Sequence, residues 1–156
     1  MQEKINIDTL YDEKKETSWI SKEDYRPIYE SIHSILKPKS LADAGCRVGN
    51  LISFFKEIDK INVLGIDYFE YNKNHCSELI KSDFLVHDLR NPLQSNSGYI
   101  QNQKFDVVVS TEVAEHIDLA YSDVYISNLK ELMADDAKLV ISWADSPIKD
   151  QHLNPK

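Results

Sequence analysis

Two glycines four residues apart, Gly45 and Gly49, lie in Leu41-Ala42-Asp43-Ala44-Gly45-Cys46-Arg47-Val48-Gly49-Asn50, between an apolar run and an apolar helical segment. Lacking a Cβ, such positions let the backbone turn sharply and pass close to a ligand. A second apolar run, Val63-Leu64-Gly65-Ile66, ends in Asp67, 22 residues after Gly45. A carboxylate there can accept both hydroxyl protons of a ribose, a pairing that neutral side chains match poorly. A third run ends in His87-Asp88-Leu89, where a second carboxylate can accept from an adenine amino group while Leu89 or Phe69 covers the ring. A fourth is followed by Ser110-Thr111-Glu112-Val113-Ala114-Glu115-His116. Glu112 and His116 are the candidates there for removing a proton from a bound hydroxyl or amine.

Each of these residues also has a plain structural reading. The glycines suit an ordinary turn, and Asp67 suits a cap for a helix starting near Phe69. Asp88-Leu89-Arg90-Asn91-Pro92 has the composition of a surface turn. Glu112 and Glu115 suit the first turn of a helix, where its dipole favours acidic groups. His116 is read as a packing or capping residue more readily than as a base, and Cys46 as a small buried filler rather than a nucleophile. A dinucleotide fingerprint would need G-x-G-x-x-G, but these glycines stand four apart with no third one after them, which weakens an NAD reading.

The elements that must position these groups alternate along the chain. Residues 1–20 are rich in charge without a sustained period, and are expected to form an arm or lid. Ser21 followed by Asp24 suits a helix start, and Tyr25, Ile28, Tyr29, Ile32, Ile35 and Leu36 recur at helical spacing until Lys37-Pro38 ends the run. Strand-like runs at 40–44, 62–66, 84–87, 105–110 and 138–143 then alternate with helical segments at 50–58, 69–80 and 119–133. The runs are almost continuously apolar, as strands covered on both faces by crossover helices require. The expected fold is a Rossmann-like, doubly wound α/β domain over residues 21–156, with a mainly parallel sheet of about five strands and flanking helices. Its ligand then belongs at the carboxyl ends of the strands, near the point where strand order reverses. Residues 91–103, with Pro92, Gly98 and several Ser, Asn and Gln, read as a surface excursion.

A chain of 156 residues fits one domain. Its formal net charge of -8 repels phosphate backbones and anionic membrane surfaces, so neither nucleic acid nor a membrane is expected as a partner. Two cysteines without a CxxC pair predict a reduced, cytoplasmic compartment, and no metal site is expected. No stretch approaches the roughly 18 continuous apolar residues of a membrane helix.

The order of these segments resembles the class I S-adenosylmethionine-dependent methyltransferases, particularly the branch acting on small molecules. The matching pieces are Leu41-Ala42-Asp43-Ala44-Gly45-Cys46 with Gly49, then Gly65-Ile66-Asp67, then Asp88-Leu89, then Phe105-Asp106-Val107-Val108-Val109-Ser110 with Glu112 and Glu115-His116. The resemblance implies S-adenosyl-L-methionine as cofactor and a small-molecule methyl acceptor. It further implies that Asp43 orders the glycine loop near the cofactor's amino group, and that Gly45 and Gly49 border its methionine part. Asp67 would hold the ribose, and Asp88 with Leu89 would frame the adenine. Cys46, Tyr68 and Ser110 complete the expected cofactor contacts, with Glu112 and His116 as catalytic candidates. Trp19 and His152-Leu153-Asn154 resemble places where family members close over cofactor or substrate, though an exposed tail is the preferred reading.

Two departures stand out. The family usually carries a third glycine where this sequence has Arg47, which could crowd the methionine carboxylate or pair with it. The family also usually continues past the fifth strand, whereas this sequence stops at Lys156, so a further segment or a second copy is expected to cover the sheet edge. The alternatives are a non-catalytic module that holds S-adenosylmethionine or works through protein contacts, and a nucleotide-sugar or NAD-dependent enzyme on a similar sheet.

Overall fold

The computed structural model describes residues 21–143. Five strands, β1 (Ser40–Ala44), β2 (Asn62–Asp67), β3 (Phe84–Val86), β4 (Phe105–Thr111) and β5 (Met133–Ser142), form one sheet in the order β3-β2-β1-β4-β5. Every neighbouring pair is parallel. The chain therefore winds outward from β1 to β3, then returns to β4 on the other side of β1, and the strand order reverses between β1 and β4. This is the expected doubly wound α/β architecture.

The apolar runs become strands because both faces are covered. Leu41, Val63, Val107 and Val109 enter one core cluster, with Tyr29 and Ile32 from α1 (Arg26–Leu36) and Leu51, Ile52, Phe54 and Phe55 from the segment after β1. Ala42, Ala44, Leu64, Ile66 and Val108 enter the other, with Tyr125, Leu129 and Leu132 from α4 (Ser122–Leu132). Successive residues pointing to opposite clusters is the period-two alternation of a strand buried on both sides.

The helix after β1 is α-helical over α2 (Asn50–Phe54) and widens into a π turn over Phe55–Asp59. At that widening two consecutive rings reach Tyr29: Phe54 stacks on it at 5.1 Å and Phe55 meets it edge-on at 4.9 Å. The helix expected over 69–80 breaks instead. Its first part is α3 (Glu70–His75), Cys76 is extended, and Ser77 restarts the chain as a 3-10 turn over Glu78–Asp83 by accepting from the N–H of Leu79. Residues 91–103 are not a mere surface excursion, because Leu93 and Tyr99 are buried in the second cluster. Asn128 of α4 pins that segment, accepting from the N–H of Leu93 and donating to the carbonyls of Leu89 and Asn91. β5 begins earlier than the apolar run suggested, directly after α4, and its pairing with β4 slips between Phe105 and Val107. Among the described residues, no helix is long and apolar enough to cross a membrane.

Candidate functional site

Because all strands are parallel, their carboxyl ends share one rim, and the register sets Asp43 beside Gly65 and Asp67 beside Val86. The bend after β1 hangs on the end of β2, with the N–H groups of Gly45 and Cys46 both donating to the carbonyl of Ile66 at 2.7 and 3.0 Å. Gly45 and Gly49 have φ of 92 and 75, in the left-handed region that favours glycine. The space they leave is filled by the protein itself. A Cβ on Gly45 would stand 2.2 Å from Val113 Cγ2, and one on Gly49 would stand 2.3 Å from Ile80 Cδ1. The missing side chains thus make room for the loop after β4 and for the turn before β3. Cys46 likewise fills the hollow at Gly65, where a Cβ would lie 2.8 Å from its sulfur. Burial pushes the Cys46 thiol well up, so it stays protonated.

Arg47 completes the bend at φ 52, and it is the residue at the position expected to hold glycine. A non-glycine residue in left-handed backbone is strained by roughly 1–2 kcal/mol. Its N–H donates to Asp67 Oδ2 at 3.0 Å. Asp67, 7% exposed, also accepts at Oδ1 from the N–H of Phe69 and from the Asn72 amide, both at 3.0 Å. Burial pushes its carboxyl up, against the hydrogen bonds from Phe69, Asn72 and Arg47. A carboxylate has about four accepting positions, and three are taken. The expected pairing of both oxygens with two ribose hydroxyls is therefore reduced to one open position on Oδ2.

Asp43 is different. It is 3% exposed, and its buried Oδ1 has no hydrogen-bond partner. Burial, with the charge of Asp67 adding to it, pushes its carboxyl up to about 7. A buried unpaired polar oxygen is expensive to keep, and it marks a place where a donor belongs.

Tyr25 reaches the same place from the N-terminal side and had no signal in the sequence beyond its helical spacing. It lies at the end of a 3-10 turn, Lys22–Tyr25, tied down by the Lys22–Glu57 ion pair and by Lys22 and Arg26 over the Phe54 ring at 4.7 and 4.9 Å. Burial pushes the Tyr25 hydroxyl up and the charge of Asp43 adds to this, while the charge of Arg47 acts against it. Asp43, Arg47, Asp67 and Tyr25 thus stand around one bend.

The β3 end is organised around an unexpected arginine. Asp88 Oδ1 accepts from Arg90 Nε at 2.9 Å, and Oδ2 accepts from its terminal nitrogen at 2.6 Å. Oδ1 also accepts from the N–H of Arg90. Burial opposes ionisation of Asp88, but these bonds outweigh it and hold the carboxyl below its usual range. The Arg90 guanidinium lies 5.8 Å from the Tyr121 ring centre. Tyr68, exposed just after β2, is close enough for its charge state to act on Arg90. Leu89 is buried in the core under α4 rather than standing open at the rim.

At the β4 end, Ser110 is fully buried. Its hydroxyl donates to the carbonyl of Ala44 at 2.7 Å and shares a 2.7 Å hydrogen bond with the Tyr125 hydroxyl. It pins β4 to β1, and with its one proton given to Ala44 only an accepting position on its buried oxygen remains. Glu112, exposed and at φ 55, accepts from Ser142 Oγ at 2.8 Å, while its N–H donates to the Ser142 carbonyl. His116 is exposed, at the end of a short 3-10 turn. Trp19, His152-Leu153-Asn154 and the arm over residues 1–20 lie outside the described residues.

A family model described as a methyltransferase domain matches residues 21–155. No curated protein aligns significantly with the chain. Similar solved structures include a protein of Pyrococcus horikoshii, at 22% identity and TM-score 0.58, covering 76% of this chain and 57% of that one. A SAM-dependent methyltransferase of Archaeoglobus fulgidus is 21% identical with TM-score 0.59, over 87% of this chain and 57% of that one. DesVI of Streptomyces venezuelae is 17% identical with TM-score 0.59, over 82% and 52%. At these identities the likeness is one of fold. The chain spans little more than half the length of each.

Proposed function

The chain belongs to the methyltransferase-domain family, and from that premise we propose that it binds S-adenosyl-L-methionine and transfers its methyl group to a small-molecule acceptor. The observation that carries this reading is the unpaired, buried Asp43 Oδ1 beside Asp67 at the switch point of the sheet. An ammonium group supplies the donor that Asp43 lacks, and a ribose hydroxyl suits the open position on Asp67. Gly45, Cys46 and Gly49 hold the bend that carries these groups. Tyr68 and Asp88 form the neighbouring rim at which an adenine would rest, with Asp88 fixed in place by Arg90 and Leu89 packed beneath them in the core.

S-adenosylmethionine supplies a methyl group already activated by its sulfonium leaving group. The protein's task is then chiefly to place the acceptor in line and to exclude water, and orientation of this kind can contribute on the order of 7–11 kcal/mol. Glu112 and His116, exposed just beyond β4, are the groups we assign to receive the acceptor's proton when the acceptor is a hydroxyl or a protonated amine. The net charge of -8 supports a small acceptor over a nucleic acid. Both described cysteines are free and buried, which supports a reducing, cytoplasmic setting. The outer edge of β5, with Leu139 and Trp143 exposed, is where a further chain segment or a second copy would pack.

Calorimetric titration tests the reading. Wild-type protein is expected to bind S-adenosylmethionine and S-adenosylhomocysteine at one site per chain, to bind neither NAD nor nucleotide sugars, and to bind both adenosyl ligands more weakly as the D67A variant. Absence of binding by either adenosyl ligand would overturn it.

A further inference from the structure

This inference rests on the reading above and concerns what holds the adenine side of the site in shape. His87, the first residue after β3, stands between the two carboxylates of that rim: its N–H donates to the carbonyl of Asp67 at 2.8 Å, and Asp88 follows it in the chain. His87 is buried, and both of its ring nitrogens are engaged, Nε2 with the carbonyl of Asn91 at 2.9 Å and Nδ1 with the side-chain amide of Asn96 at 3.2 Å. The orientation of that amide follows from its backbone partners. Its oxygen accepts from the N–H of Gly98 at 2.9 Å, and its nitrogen donates to the carbonyl of Val86 at 2.7 Å. An amide nitrogen only donates and a carbonyl only accepts, so the His87 ring is the tautomer that accepts at Nδ1 and donates from Nε2.

The Asn91 carbonyl is where two supports meet. It accepts from His87 on the sheet side and from the Asn128 amide of α4 at 2.9 Å. The same amide donates to the carbonyl of Leu89, and the N–H of Asn91 closes the turn by donating to the carbonyl of Asp88. The turn from Asp88 to Asn91 is thus fixed from both sides. Its first residue presents a carboxylate that meets three protons of Arg90: the backbone N–H, the Nε proton shared by both oxygens, and one from the terminal nitrogen. A carboxylate has about four accepting positions, so one remains, and the turn sets its direction. We propose that His87, oriented by Asn96, is a positioning residue that holds the remaining acceptor of Asp88 toward the amino group of an adenine, and so lets the site tell adenine from a base without that group.

Two ligands isolate this effect: S-adenosylhomocysteine, and S-inosylhomocysteine, in which an oxo group replaces the amino group of the base. An oxo group only accepts, so it cannot pair with a carboxylate. In calorimetric titration, wild type is expected to prefer S-adenosylhomocysteine by about 10-fold, as a hydrogen bond to a charged group predicts. H87F keeps an aromatic ring in the buried space and removes both ring hydrogen bonds. N96A frees the ring from the 91–103 segment, at a half-buried position, and carries the test alone if circular dichroism shows H87F unfolded. In each folded variant the affinity for S-adenosylhomocysteine should fall about 3- to 10-fold while that for S-inosylhomocysteine stays the same, so that the preference shrinks toward one. Equal loss of both ligands, an unchanged preference, or a wild type that binds the two alike overturns the positioning role while leaving the proposed function standing. Binding of neither ligand by wild type overturns both together.

Discussion

At the scale of single residues, Asp43 is the group whose behaviour departs furthest from its type. Burial, and after it the charge of Asp67, raises its carboxyl from 3.8 to about 7. An acid whose pKa rises on folding holds its proton more tightly in the folded chain, so its contribution to stability is fully present at low pH and is lost as pH rises through the window from 3.8 to about 7. The size is on the order of a few kcal/mol, since one pKa unit corresponds to about 1.4 kcal/mol. Asp67, Cys46, Tyr25 and Arg47 are the charged or titratable groups around it. Asp67 is raised too, so part of the pH dependence belongs to it. D43N removes the Asp43 share. Urea midpoints measured at pH 4 and pH 8 should differ clearly less in D43N than in wild type, and identical differences would contradict a raised Asp43. Asp43 was legible in the sequence as a motif position. Its missing hydrogen-bond partner was not, because that depends on what β2 and the N-terminal turn bring alongside it.

At the scale of elements, the bend after β1 and the loop after β4 are built as a pair. Gly45 combines a left-handed backbone with a methyl group of Val113 lying where its Cβ would be. Val113 is β-branched and short, so it has little freedom to withdraw. G45A is expected to destabilise the protein by about 2 kcal/mol or more, through backbone strain and overpacking together. Adding V113A should remove the steric part only. A double-mutant cycle by chemical denaturation is expected to give a coupling on the order of 1 kcal/mol. A purely additive cycle would mean that Val113 moves aside without resistance. Positions 45 and 49 were readable as glycine turns, but the partners that need the space come from residues 113 and 80, far along the chain. The same limit explains two other differences. Helical spacing over 69–80 concealed the extended break at Cys76. The polar composition of 91–103 concealed Leu93 and Tyr99, which are buried because Asn128 of α4 draws that segment inward.

At the scale of the whole molecule, ligand binding and folding are linked, because an unfolded chain cannot assemble a site from four strand ends. A ligand present at 100 times its dissociation constant stabilises the folded state by about 2.7 kcal/mol. For a chain of 156 residues this corresponds to a rise in melting temperature of roughly 8 °C. A thermal-shift series with S-adenosylhomocysteine should reach that rise, and D67A should need more ligand to do so. A flat series at ligand concentrations that saturate the calorimetric titration would show that the bound state is not the folded state described.

Read without coordinates, the amino-acid sequence was enough to determine the α/β class, the five strand segments, the parallel winding and the placing of acidic groups at strand ends. All of these follow from the local period of apolar residues and from the short turns that connect them. Which acidic group stays open was decided by the tertiary structure alone. Asp88 is occupied by Arg90, two residues away in sequence, and Asp67 by Phe69 and Asn72 just after it and by Arg47 from the bend after β1, whereas no donor reaches Asp43 Oδ1. Ser110 turned out to be a strut for the same reason. Hydrogen-bond capacity is shared among whichever groups the fold brings within about 3 Å, and that proximity across the sheet leaves no mark in a linear pattern.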